Sequence, residues 1–242
     1  MKTAFVVLGM HRSGTSALAG SLAQLGATPP DSLMPAKADN PLGFWESERL
    51  VAFNEEILTV AGSCWYDWGP LDATVFQGSH SAHLNTAGPW LIGHEFRGAD
   101  TIVVKDPRIC RCYPYWRRTL HKAGYRALPI LPIRRPSEVA RSLARRNGLS
   151  SGLAQRLWLR HVLDAEKATR GQPRFISTLD AFIADWPDRF ARLSATLGVD
   201  LNASDSEASR AVDIFWSRES LEVSSENSEK QVHHRLVLDV WD

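Results

Sequence analysis

Residues 9 to 16 read GMHRSGTS, closing an apolar run and opening a helix-like one. Gly9 and Gly14 keep the glycine spacing of the pattern G-x-x-x-x-G-K-[ST], but Thr15 stands where that pattern has lysine. Consecutive backbone N–H groups at a glycine-bounded helix start cradle an anion, and the helix end adds partial positive charge. Arg12, Ser13, Thr15 and Ser16 would add side-chain donors, and Gly14 would let the anion approach the backbone. Without the lysine that sits over β- and γ-phosphates, hydrolysis of a nucleoside triphosphate is disfavoured. A second basic group lies in Lys105-Asp106-Pro107-Arg108, and a third in RRPSEVARS, where Arg134 and Ser142 could reach one phosphate together.

The elements that must position these groups alternate. TAFVVLG is a continuous, β-branched-rich run and reads as a buried strand, and SALAGSLAQLGA reads as a helix ending at Gly26. Pro29, Pro30, Pro35 and Pro41 impose an extended crossing before the helical spacing of residues 46 to 62. TIVVKDPR is a second strand followed by the helix PYWRRTLHKAG. RALPILPIRRP is a third, whose prolines predict an irregular or near-edge position. PSEVARSLARRNG has proline at a suitable first helical position. A long helix from residue 151 precedes a fourth strand at PRFIST. Such alternation predicts an α/β fold of three layers with a central, mainly parallel sheet. Ligands of such sheets bind at the carboxyl ends of the strands, which is where all three basic groups fall.

The chain of 242 residues, 44% hydrophobic, suits a single domain spanning 1–242, with the segment 203–242 less well defined. Its 28 Lys+Arg against 27 Asp+Glu argue against nucleic-acid binding through bulk charge. Three cysteines suggest a reducing, cytoplasmic setting, and Cys110-x-Cys112 without further partners is a poor zinc signal. The first apolar run is too short for a membrane span, and no targeting segment is read. Residues 218 to 230 are polar enough to read as a surface loop or mobile segment.

The two anion motifs together resemble the sulfotransferases that use 3′-phosphoadenosine 5′-phosphosulfate (PAPS). Their phosphosulfate loop follows the first strand with a basic residue before Ser-Gly-Thr, as in GMHRSGTS. Their 3′-phosphate motif is Arg-x-Pro with a serine eight residues after the arginine, the spacing of Arg134, Pro136 and Ser142. NPLGFWES and VVKDPR also look like phrases of bacterial members, and the likeness runs from residue 3 to about residue 200. The resemblance implies a P-loop-like fold that moves a sulfuryl group from PAPS to an acceptor hydroxyl on a carbohydrate or small metabolite. It leaves adenosine 3′,5′-bisphosphate and requires no metal.

The resemblance also implies roles. His11, Arg12, Ser13, Gly14, Thr15 and Ser16 would hold the phosphosulfate, and Arg134 and Ser142 the 3′-phosphate. Arg12 and Lys105 would offset charge on the leaving group. Where cytosolic members carry Lys-Thr-His this chain has Pro107, so the acceptor proton must go elsewhere. Glu46 is the first candidate and Asp106, flanked by basic residues, the second. Glu46 also suits a helix N-terminus and Asp106 a local ion pair. His233-His234-Arg235 could fold over the nucleotide or be solvated. Trp45, Trp65 and Trp68 could form an acceptor wall or pack, and at most one of Arg145 and Arg146 should touch nucleotide. A P-loop kinase or NTPase, or a non-catalytic nucleotide-binding protein of the sulfotransferase fold, are the alternatives.

Overall fold

The structure, a computed structural model, describes residues 1–38, 40–77, 81–201 and 206–226. The His233-His234-Arg235 triplet lies outside the described residues. Four parallel strands, β1 (Lys2–Val7), β2 (Thr101–Lys105), β3 (Tyr125–Ile133) and β4 (Phe175–Thr178), form one sheet in the order β2-β1-β3-β4. The helices are α1 (Thr15–Gln24), α2 (Glu48–Val60), α3 (Ala82–Phe96), α4 (Ile109–Lys122), α5 (Pro136–Asn147), α6 (Ser151–Ala168), α7 (Leu179–Ala184), α8 (Trp186–Leu197) and α9 (Ser206–Glu226).

β1 shows why the sheet is central. Ala4, Val6 and Leu8 enter one core with α2, α3 and α4, while Phe5 and Val7 enter the other with α1, α7, α8 and α9. Side chains alternate across a strand, so an unbroken apolar run demands cover on both faces, and helices supply it. The result is the three-layer arrangement expected from the alternation of elements.

Two expectations are corrected. β3 is an interior strand, flanked by β1 and β4, although it carries Pro129 and Pro132. Leu8 N donates to Ile130 O, so the polar groups of Ile130 face β1 and those of its neighbours face β4. Pro129 therefore lacks its N–H on the β4 side, one residue before pairing with β4 begins at Ile130. Pro132 lacks its N–H on the β1 side, beyond the last β1 pair at Val7–Ile130. Each missing donor falls where that neighbouring strand makes no ladder.

The second correction concerns residues 218 to 226, which belong to α9 rather than to a surface loop. Upstream, Val212, Phe215 and Trp216 have helical spacing and are buried against the α1 face, Trp216 stacking on Phe182 at 4.9 Å between ring centroids. That anchorage carries the polar second half of the helix along the molecule.

Candidate active site

The loop after β1 is held in an uncommon conformation. Arg12 has φ 68° and Gly14, which caps α1, has φ 72°. A Cβ on Gly14 would lie 2.4 Å from Leu179 Cδ1, so both the backbone and the Leu179 side chain favour glycine. Arg12 pays a strain of about 1–2 kcal/mol for its left-handed backbone, and its neighbours hold it there. Arg134 Nη1 donates to Arg12 O at 2.8 Å, and Arg12 Nε donates to Ser142 Oγ at 2.8 Å. Arg134 itself is buried and ion-paired with Glu138 at 3.0 Å, and its carbonyl accepts from Trp158 Nε1. The loop is thus fastened to the end of β3 and to α5. No side chain caps α1, and Ser13 Oγ is buried without a hydrogen-bond partner.

Opposite the loop, residues 40–46 form a strap ahead of α2. Lys105, the last residue of β2, is buried and donates to Glu46 Oε1 at 2.5 Å, to Phe44 O at 3.0 Å and to Ser16 Oγ at 3.2 Å. Ser16 Oγ also donates to Phe44 O and accepts from Asn40 Nδ2, each at 3.2 Å. The strap is therefore tied to β2 and to the first turn of α1 together. Burial raises the pKa of Glu46 above the usual carboxylate value, and Asp106 adds to this, while Lys105 and Arg108 oppose it.

Glu46 is placed by the network at the start of α2. Ser47 caps that helix, accepting from Leu50 N at 3.0 Å, and shares a hydrogen bond with Ser32, which in turn donates to Glu95. Arg49 completes the network through an ion pair with Glu95 at 2.8 Å.

Loop, strap and strand ends line a solvent-open cleft. Arg12, Lys105, Arg134, Arg146 and Arg218 face it, against the carboxylates Glu46 and Glu219. Gly14, Thr15 and Ser16 also line it, whereas Ser13 and Ser142 lie behind. His11 lines it with its ring edge-on to Trp65 at 5.2 Å. Burial, with Arg108 beside it, holds the His11 pKa well below the ordinary value, so the imidazole is neutral at neutral pH.

Asp106 does not face the cleft. It is fully buried and accepts from Asn54 Nδ2 at 2.8 Å, from Arg108 N at 2.9 Å and from Arg108 Nη1 at 3.0 Å. Trp45 packs on Phe215 of α9, Trp68 stands on the Arg156 guanidinium, and Trp158 is core. Of the two arginines ending α5, Arg146 lines the cleft, over the Phe44 ring at 5.4 Å.

Sequence reasoning missed Asn40, Phe44, Phe215, Arg218 and Glu219, all of which line the cleft. The residues from α9 were legible only through the Val212, Phe215, Trp216 spacing that makes the segment a docked helix. Among the described residues no group of three or more metal-ligating side chains clusters, and no helix is long and apolar enough to cross a membrane.

No protein-family model matches the chain, and no curated protein does. Among solved structures the chain is similar to a sulfotransferase domain from the curacin biosynthetic pathway, at 15% identity over 86% of this chain and 77% of that one, with a TM-score of 0.48. It is similar to the sulfotransferase domain of the Synechococcus PCC 7002 olefin synthase at 14% identity, covering 83% and 74%, with a TM-score of 0.46. A third similar structure is a sulfotransferase of Mycobacterium tuberculosis H37Rv, at 16% identity, covering 88% and 71%, with a TM-score of 0.48.

Proposed function

We propose that the cleft binds PAPS and transfers its sulfuryl group to a hydroxyl of a carbohydrate or small-metabolite acceptor. The observation that carries this reading is the meeting, at Ser16, of an uncapped helix start with a buried Lys105–Glu46 pair. The residues present fit the donor. A phosphosulfate has only acceptor oxygens, and the cleft is lined by the α1 helix start, hydroxyl, guanidinium and ammonium groups. PAPS would supply an activated sulfuryl group on a phosphate leaving group.

In this reading the first turn of α1 and Arg12 orient the phosphosulfate, Arg134 serves the 3′-phosphate while holding the Arg12 carbonyl, and Ser142 fastens Arg12 from behind the cleft. As the acceptor oxygen bonds to sulfur, Glu46 takes its proton. The bond from sulfur to the phosphate oxygen breaks, its electron pair stays on that oxygen, and Arg12 and Lys105 offset the charge left on adenosine 3′,5′-bisphosphate. Asp106 acts as a positioning residue that fixes Arg108 and the end of β2. Residues 1–242 are read as one domain, and the free thiols of Cys64, Cys110 and Cys112 suit a reducing, cytoplasmic setting.

The test is transfer of labelled sulfate from PAPS to an acceptor panel, with and without EDTA. Transfer undiminished by the chelator is expected, because the cations of the cleft carry the charge stabilisation. Phosphoryl transfer from ATP that depends on Mg²⁺, with no sulfate transfer, overturns the reading.

A further inference from the structure

An ammonium has three N–H donors, and Lys105 spends one each on Glu46, the Phe44 carbonyl and Ser16. All three partners are the protein's own, and two of them lie on the strap. Buried as it is, Lys105 cannot take a donor oxyanion as a fourth partner without releasing one of these. The weakest hold by length is on Ser16, and the strongest on Glu46. A phosphosulfate, with two negative charges shared between its phosphate and sulfate oxygens, competes with each of them for the same cation.

We propose that Lys105 is a two-position cation, holding Glu46 and the strap when the cleft has no donor, and moving to the donor's phosphate when it binds, so that Glu46 loses its counter-ion only in the donor complex. This rests on the PAPS reading above and adds an order to it: donor binding arms the base, and an acceptor entering first meets a carboxylate still held by Lys105. Freed of Lys105 in a buried site, the carboxylate keeps the desolvation that raises its pKa and loses the main opposing charge. Asp106 and Arg108 also bear on it, and the cleft around it carries Arg12, Arg134, Arg146, Arg218 and Glu219.

The movement has two consequences that do not need turnover. Glu46 competes with the donor for Lys105, so removing its charge should tighten donor binding, and donor binding should raise the Glu46 pKa and draw in a proton. The probe is adenosine 3′,5′-bisphosphate, titrated calorimetrically into the parent, Glu46→Gln and Lys105→Met at several pH values in buffers of different ionisation enthalpy. Glu46→Gln should bind the probe about fivefold or more tightly than the parent, the lower range of site-to-site coupling. The parent should take up a proton on binding as the pH is lowered toward the titration of Glu46, over and above any uptake by the variant. Lys105→Met should bind more weakly than the parent.

Probe binding by the parent with no excess proton uptake over Glu46→Gln overturns the switch and leaves the donor reading intact, and this comparison holds even if the variant's affinity is altered by a small repacking. Probe binding by Glu46→Gln no tighter than by the parent has the same meaning. Failure of the parent to bind the probe overturns the donor reading and the switch together.

Discussion

The two helix starts that face each other across the cleft are built in opposite ways. α2 begins at Ser47, whose hydroxyl accepts from Leu50 N and belongs to a network with Ser32, Glu95 and Arg49. α1 begins at Gly14, with no side chain to cap it and a conformation imposed from behind by Arg134 and Ser142. A helix start leaves N–H groups unsatisfied, and a protein can close them with its own side chain or leave them for a ligand. The closed start fixes Glu46, and the open one offers the donors. In the proposed reading, Glu46 fixed by the closed start stands beside the donors of the open one, the juxtaposition that group transfer requires.

The largest expected effect falls on the base. Glu46→Gln should lower kcat by about 10²–10⁴-fold, the range for loss of acid–base assistance, without weakening donor binding. Single-turnover transfer at saturating donor measures it, and a parental rate ends the assignment of Glu46. The same variant tests the pH profile. A base must be deprotonated to act, and burial raises the Glu46 pKa, so the parental rate should climb with pH through a limb lying above the ordinary carboxylate range. That limb should be absent from the residual rate of Glu46→Gln.

A smaller effect is expected from closing the open helix start. Gly14→Ala meets a left-handed backbone worth roughly 1–2 kcal/mol and the Leu179 side chain, so donor affinity should fall by about tenfold. Calorimetric titration with adenosine 3′,5′-bisphosphate reads this, and unchanged affinity would detach the loop from the donor. The smallest effect belongs to the closed start: Ser47→Ala should cost about 1 kcal/mol of stability, as other cap deletions do, in urea unfolding. Donor affinity should stay at the parental value. A large loss of affinity in Ser47→Ala would show that the two helix starts are not independent.

How much of this was legible in the sequence depends on how far apart the partners lie. The strand, glycine turn and helix around residues 9 to 16 form a local pattern, and the rule that strand ends converge places Lys105 and Arg134 beside it. The contacts that decide what these groups do span long stretches of chain. Lys105 meets Glu46, and Asp106 is occupied by Asn54, through hydrogen bonds between residues 59 and 52 positions apart. Nothing in the short phrase VVKDPR separates a carboxylate that faces the cleft from one sealed behind it. The prolines of β3 misled for a related reason, since their tolerance depends on where the neighbouring strands end. In α9 a polar second half hid a helix whose apolar anchors lie in its first half.

The seat of α9 has a consequence for the making of the protein. Gly20 on α1 has no side chain, and a Cβ there would stand 2.4 Å from Phe215 Cζ and 2.8 Å from Trp45 Nε1. At that notch the first helix of the chain, the strap that carries Glu46 and the last described helix come together. On the ribosome, α1 and the strap emerge early, and their notch waits through the synthesis of β2, β3 and β4 for Phe215 to arrive. The cleft is therefore among the last parts of the molecule to be completed, and a chain released before α9 would keep its loop and Glu46 but lack the wall formed by Phe215, Arg218 and Glu219.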